Sequence, residues 1–129
     1  MGRTAGADSF CTPVRIDGIY FAGSFGMFVF TNEGLFSIAR DQDNNELLHV
    51  RARRIEDLRA LFPGKEIQLT PGRDYRYRVI LSRVEAARTF ANEIMSIDYT
   101  EFERSIRDID FRVLCKQVRE LAKNELTED

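Results

Sequence analysis

Asp74-Tyr75-Arg76-Tyr77-Arg78-Val79-Ile80-Leu81, followed at once by Ser82-Arg83-Val84-Glu85-Ala86-Ala87, is where the chain changes period. Alternation up to Leu81 predicts a strand. Beyond it Val84, Ala87, Ala91, Ile94 and Met95 recur at helical spacing and predict a helix over Arg83–Ser96. The same change holds on either side: from Met27 to Leu81 the apolar residues mostly alternate, and from Arg83 to Leu126 they follow the helical repeat. Strands first and helices after make an α+β domain. Its expected architecture is an antiparallel sheet of about four strands (an N-terminal meander, a short helix and a further strand), followed by about three C-terminal helices packed on one sheet face.

Upstream of the switch, Met27–Thr31 and Leu35–Arg40 read as a hairpin. Its turn is Asn32-Glu33-Gly34, with glycine where positive φ is expected. Asp41–Asn45 is a polar loop, and Leu47–Arg53 returns as the third strand of the meander. Ile55–Phe62 reads as a short helix with Ile55, Leu58, Leu61 and Phe62 on one face, ended by Pro63-Gly64. Ile67–Leu69 suggests a brief strand, Pro71-Gly72 a turn and Tyr75–Leu81 the last strand.

Downstream, Ser82 with Glu85 forms the pattern of a capping box. Asp98 with Glu101 repeats it for a shorter helix through Arg107, whose apolar face would use Tyr99, Phe102 and Ile106. Asp110 is placed to cap a last helix with the stripe Phe111, Leu114, Cys115, Val118, Leu121 and Ala122. At the other end, residues 1–13 are small, polar and closed by Pro13, and are expected to be a flexible arm. Val14–Tyr20 suggests a short strand. One domain over 14–126 is the expected organisation.

Composition narrows the function classes. The 129 residues are 43% hydrophobic and 31% charged, with net charge −2, as in a soluble globular protein. The charge is uneven: residues 1–46 carry −3, residues 47–88 carry +5 and residues 89–129 carry −4. Such asymmetry can orient an encounter with an anionic partner. Cys11 and Cys115 are the only cysteines. They make no disulfide framework, and Cys115 reads as a small core residue. The N-terminus lacks the apolar stretch of a secretory leader, and Gly18–Phe30 is too short and glycine-broken to span a bilayer. A cytoplasmic protein with no membrane partner is the expectation.

Motifs for chemistry are weak. His49 is the single histidine. Alternation places it with Arg51 and Arg53 on the strand face opposite Leu48, Val50 and Ala52, where it reads as solvent-facing. One histidine with no neighbouring cysteine argues against zinc. Asp41, Asp43 and Asn45 imitate the start of a calcium loop, but Glu46 stands where glycine is required and Ala52 where a bidentate carboxylate is required. Gly23, Ser24 and Gly26 lack the Lys-Ser/Thr of a phosphate-binding loop. Asp98, Glu101 and Glu103 read better as helix caps and a solvated face than as an acid–base pair. No enzyme, cofactor or metal is expected.

Two features suggest binding. Arg51 with Arg53, and Arg76 with Arg78, each share a strand face. If the two faces coincide they set four guanidiniums beside His49, with Arg54, Arg73 and Arg83 as extensions, a surface suited to carboxylates or phosphates. Tyr20, Phe21, Phe25, Phe28 and Phe30 crowd Ile19–Phe30. That segment reads as core strand plus buried turn, or as a segment that docks on a partner or pairs a second subunit, with Phe21 and Phe25 foremost.

Several segments together resemble a family of small uncharacterised bacterial proteins. These are Met27-Phe28-Val29-Phe30-Thr31 with Gly34-Leu35-Phe36-Ser37-Ile38, then Leu48-His49-Val50-Arg51-Ala52-Arg53 with Asp57-Leu58, then Asp74-Tyr75-Arg76-Tyr77-Arg78, and Ile97-Asp98-Tyr99-Thr100-Glu101-Phe102. The resemblance covers Met27 to Ile106 and implies no activity, so it assigns no functional residue. The chain departs from that pattern in having no tryptophan, a long N-terminal arm and no C-terminal Tyr-His and Val-Trp elements, which fits a relative carried by a phage or mobile element. The expected function is a small non-enzymatic protein-binding module, an inhibitor or adaptor of a larger protein machine. Its partner surface would be acidic and its binding residues His49, Arg51, Arg53, Arg76, Arg78, Phe21 and Phe25. The alternative is a nucleic-acid-binding accessory protein using the arginine face, although pI 5.5 is low for that role. A homo-oligomer is compatible with either reading.

Overall fold

The computed structural model describes residues 14–16, 19–21 and 26–127. Its elements are β1 (Val14–Ile16), β2 (Ile19–Phe21), β3 (Met27–Thr31), β4 (Gly34–Arg40), β5 (Leu47–Ala52), α1 (Ile55–Leu61), β6 (Gln68–Leu69), β7 (Tyr77–Ser82), α2 (Arg83–Met95), α3 (Phe102–Ser105) and α4 (Ile109–Glu125). β3 to β7 form one five-stranded antiparallel sheet in the order β3-β4-β5-β7-β6. β1 and β2 pair as a separate two-stranded hairpin, so the single strand expected over Val14–Tyr20 is two short ones. The α+β class, with most of the sheet preceding the C-terminal helices, is as the sequence indicates. The expected arm, residues 1–13, lies outside the described residues.

Alternation sorts the sheet into two faces. Phe36 and Ile38 of β4, Val50 and Ala52 of β5, and Val79 and Leu81 of β7 point one way. They build the main core with Leu58, Leu61 and Phe62 from α1 and its end, and Ala86 of α2. Phe90 of α2 sets its ring edge-on to Phe36 at 5.9 Å and to Phe62 at 6.2 Å, a favoured aromatic geometry. α2 starts where β7 ends because the Ser82 hydroxyl accepts the Glu85 N–H at 3.1 Å. The Glu85 carboxylate pairs with Lys65.

The C-terminal helices do not share one face. Phe30 and Leu35, paired across β3 and β4, point away from the main core. There they pack with Phe102 against Ile106, Phe111 and Cys115, a second and smaller cluster. α3 and α4 therefore sit on the opposite face, at its hairpin end, because the hairpin carries apolar residues on both sides. Asp108, rather than Asp110, caps α4: its Oδ1 accepts the Phe111 N–H at 3.0 Å, while Oδ2 takes Arg54 NH1 at 2.6 Å. Glu101, rather than Asp98, stands at the start of α3, and neither gives it a side-chain cap. Of the predicted α4 stripe, Phe111 and Cys115 are buried, whereas Leu114, Val118 and Leu121 are exposed.

Gly34 is also needed for a different reason than expected. Positive φ occurs at Gly64 and Gly72 among the described residues, not at Gly34. Thr31 organises the turn instead, its hydroxyl accepting the Glu33 N–H at 3.1 Å. A Cβ on Gly34 would lie 2.6 Å from Asp57 Cγ, so this position must be glycine to let the Asp57 carboxyl in.

Candidate functional site

On the face opposite the main core, register brings the predicted residues together. Phe28, Ser37, Arg51, Arg78 and Gln68 are successive Cα partners across all five strands. Arg51 and Arg78 thus stand directly opposite each other on neighbouring strands, a pairing of like charges that costs stability. Ser37 is buried beneath them and accepts from Arg51 NH2 at 3.2 Å. Both guanidiniums are half-buried. Burial lowers the Arg51 pKa, with the Arg78 charge adding to it; burial lowers that of Arg78, with the Arg73 charge adding.

His49 lies two residues along β5 on the same face and is held from both sides, its side chain 17% exposed. Its Nδ1 is 2.8 Å from Arg78 NH1, and its Nε2 is 2.6 Å from Asp41 Oδ1. A guanidinium can only donate, so Nδ1 is the acceptor and Nε2 carries the proton given to Asp41. This corrects the expectation of a solvent-facing histidine: the strand places it on the predicted face, but Asp41 and Arg78 enclose it. The His49 hydrogen bond is the main reason the Asp41 carboxyl titrates below its ordinary range, followed by the Asp43 N–H. Asp41 Oδ2 accepts the backbone N–H groups of Asp43 and Asn44 at 3.1 and 3.0 Å. The stretch that imitates a calcium loop is thus a side-chain-stabilised turn. Among the described residues no three His, Cys, Asp or Glu side chains are grouped to hold a metal ion.

The remaining predicted residues lie around this row. Arg53, just past β5, is exposed and sits 5.9 Å from the centre of the Tyr75 ring. Arg76, just before β7, is exposed. Arg54 does not extend the basic face. It bonds Asp57 and Asp108 and lies 5.8 Å from the Phe111 ring centre, tying the start of α1 to the cap of α4. Arg83 bonds the Asn45 carbonyl at 2.6 Å. The backbone of Phe21 belongs to β2, while its side chain and all of Phe25 lie outside the described residues.

Sequence reading missed Ser37 and Asp41. Their signal lay in the pairing of β4 with β5, which sets Ser37 opposite Arg51 and brings the chain beyond Arg40 back past His49. It also missed a groove of about 540 Å³ on the other face, between β3 and α2, bordered by Met27, Val29, Ile38, Phe90, Ile94 and Ile97. No helix among the described residues is long and apolar enough to cross a membrane. No protein-family model, curated protein or solved structure matches the chain.

Proposed function

We propose that the protein is a small non-enzymatic protein-binding module, of the inhibitor or adaptor kind, that receives an acidic surface of a partner protein on the Arg51–Arg78 face. One observation carries this reading: an imidazole nitrogen, Nδ1 of His49, and not a carboxylate, lies 2.8 Å from Arg78 NH1. A carboxylate there would orient the guanidinium and cancel its charge. His49 orients it and leaves the charge available, at the expense of a repulsive neighbour, Arg51, in the next strand. A purely structural arginine gains nothing from that arrangement, whereas a receptor for carboxylates does. Exposed Arg53, Arg73 and Arg76 extend the positive field around the half-buried pair and favour fast encounter with an acidic partner.

The test is affinity capture of the tagged protein from its native host with and without nuclease, run beside the variants Arg51→Glu and Arg76→Glu. The expected result is a nuclease-resistant, stoichiometric protein that is lost with either variant while circular dichroism stays unchanged. Arg51→Glu should keep the fold because the new carboxylate faces Arg78. Recovery of nucleic acid that disappears with nuclease would replace this reading by a nucleic-acid accessory role, with a steep fall of affinity with salt. Unchanged protein capture by folded variants would move the site to the segment of Phe21 and Phe25.

A further inference from the structure

We propose that the outer edge of β3 is a self-association surface, on which two copies of the chain pair β3 with β3 antiparallel about a two-fold axis at Val29, joining their five-stranded sheets into one. The two ends of the sheet are built differently. β6 ends it with two residues, Gln68 and Leu69, followed by the Pro71-Gly72 turn. A short edge bounded by proline resists pairing. β3 ends it with Met27-Phe28-Val29-Phe30-Thr31, which has neither a charge nor a proline to discourage an added strand.

The backbone pattern defines the register. Thr31 pairs with Gly34 across a two-residue turn. The peptide groups of Thr31, Val29 and Met27 are therefore turned toward β4, and those of Phe28 and Phe30 outward. Pairing Phe28 with Phe30 of the second copy, and Phe30 with Phe28 of the second copy, satisfies each outward N–H and C=O. Val29 then faces its own counterpart.

Side chains around the edge suit a second copy. On the core side Met27, Ile94 and Ile97 are exposed along the groove; on the other side Phe28 is half exposed, and Val118 of α4 is exposed near Phe30. Charged residues of opposite sign stand at the two ends of β3. Arg40 and Arg83 lie at the Met27 end. At the hairpin end Glu33 and Glu93 lie close enough that the charge of Glu33 adds to burial in raising the Glu93 pKa. A two-fold axis turns Arg40 and Arg83 of each copy toward Glu33 and Glu93 of the other, a self-complementary pairing of the kind an isologous interface uses. Because the axis runs perpendicular to the sheet, both Arg51–Arg78 rows would lie on one side of the joined sheet and could engage a partner bivalently.

Sedimentation equilibrium of the full chain should give a mass near twice 14.9 kDa, falling to that value on dilution. Phe28→Lys places a charge on the half-exposed edge and should yield a monomer with unchanged circular dichroism. In a Cys11→Ser background, Val29→Cys should oxidise to a covalent dimer, because a non-hydrogen-bonded pair on the axis sits about 4.5 Å apart, within disulfide reach. Met27→Cys should not, since it faces Thr31 of the second copy. A monomeric mass at every concentration would overturn the proposal. So would a dimer that survives Phe28→Lys without Val29→Cys cross-linking, or one cross-linked through Met27→Cys alone. The acidic-partner reading stands or falls separately: loss of capture in the Arg51→Glu variant with the dimer intact leaves this proposal untouched.

Discussion

One face of the sheet meets α1 and α2 through Phe36, Ile38, Val50, Ala52, Val79 and Leu81, all buried. The other meets α3 and α4 through partly buried Phe30 and Leu35 at its hairpin end, and gives its centre to Ser37, His49, Arg51 and Arg78. The first face is held by apolar burial, which is non-directional and additive with area. On the second, the buried apolar cluster among the described residues is Ile106, Phe111 and Cys115, and directional ties assist it: Arg54 with Asp108, and Arg119 with Glu103. The difference teaches where stability and where function reside. The apolar face sets global stability. The polar face carries a like-charged pair that lowers stability and is retained, on the proposed reading, for binding. It also implies that α3 and α4 form a unit of lower local stability than the sheet.

The sharpest way to break this comparison is to cut equally buried residues on the two sides. Phe36 and Ile106 are both 0% exposed. Phe36→Ala should cost about 3–5 kcal/mol and lower the midpoint of the whole molecule. Ile106→Ala should cost about 2–5 kcal/mol, concentrated in α3 and α4. Native-state hydrogen exchange separates the two. Equal loss of protection in β5, β7 and α4 with Ile106→Ala would mean that the two clusters unfold as one.

A smaller effect is expected where the two sides meet. Gly34 packs against Asp57, and Asp57 is bonded to Arg54. Gly34→Ala should cost about 1–3 kcal/mol through overpacking. Asp57→Ala in the same chain should recover part of that, since the contact is with that side chain. If the double variant were no better than Gly34→Ala alone, the strain would lie in the backbone of the turn.

Removing the cap of α4 should be milder still. Asp108→Ala takes away both the Phe111 N–H acceptor and the Arg54 partner, and should destabilise the start of α4. Exchange in the first turn of α4 should rise while β4 and β5 keep their protection. Asp110→Ala, at the position the sequence pattern favours as cap, should change little.

These contrasts show what was legible in the sequence. The strands of the meander, the switch at Ser82 and the existence of α4 were readable because alternation and three-to-four spacing are local signals, whereas Leu114, Val118 and Leu121 of its predicted stripe are exposed. Alternation put Arg51 with Arg53 and Arg76 with Arg78 on strand faces, but that Arg51 and Arg78 share one face and stand opposite each other, over Ser37 and beside a histidine fixed by Asp41, depended on strand order and register, which local pattern does not encode. The α4 cap was misplaced because Asp108 and Asp110 are equally good capping residues, and the choice is made by Arg54, distant in sequence. The division of the helices between two faces was hidden for a related reason. Phe30 and Leu35 look like ordinary members of an alternating hairpin, and only the fold reveals that both sides of that hairpin are covered.

The smallest expected effect is a pH dependence of opposite sign in the two regions. Burial raises the Asp57 pKa above its ordinary value against the opposing charge of Arg54; burial, and then Glu33, raises that of Glu93. The Phe111 N–H and then Arg54 hold Asp108 below its ordinary range, and Arg119 does the same for Glu103. A carboxylate with a raised native pKa binds its proton more tightly folded than unfolded. Between the ordinary and native values its contribution to stability therefore grows as pH falls. A carboxylate with a depressed native pKa contributes stability above the unfolded value and loses it as pH drops through the native one. Acidification through the carboxylate range should thus loosen α3 and α4, where Asp108 and Glu103 act, while the sheet side gains slightly from Asp57 and Glu93. Residue-resolved exchange along a descending pH series would show α4 opening first. Parallel loss of protection in α4 and β5 would mean that the ionic ties of Arg54 and Arg119 do not set the stability of that unit, and that Ile106 and Phe111 hold it alone.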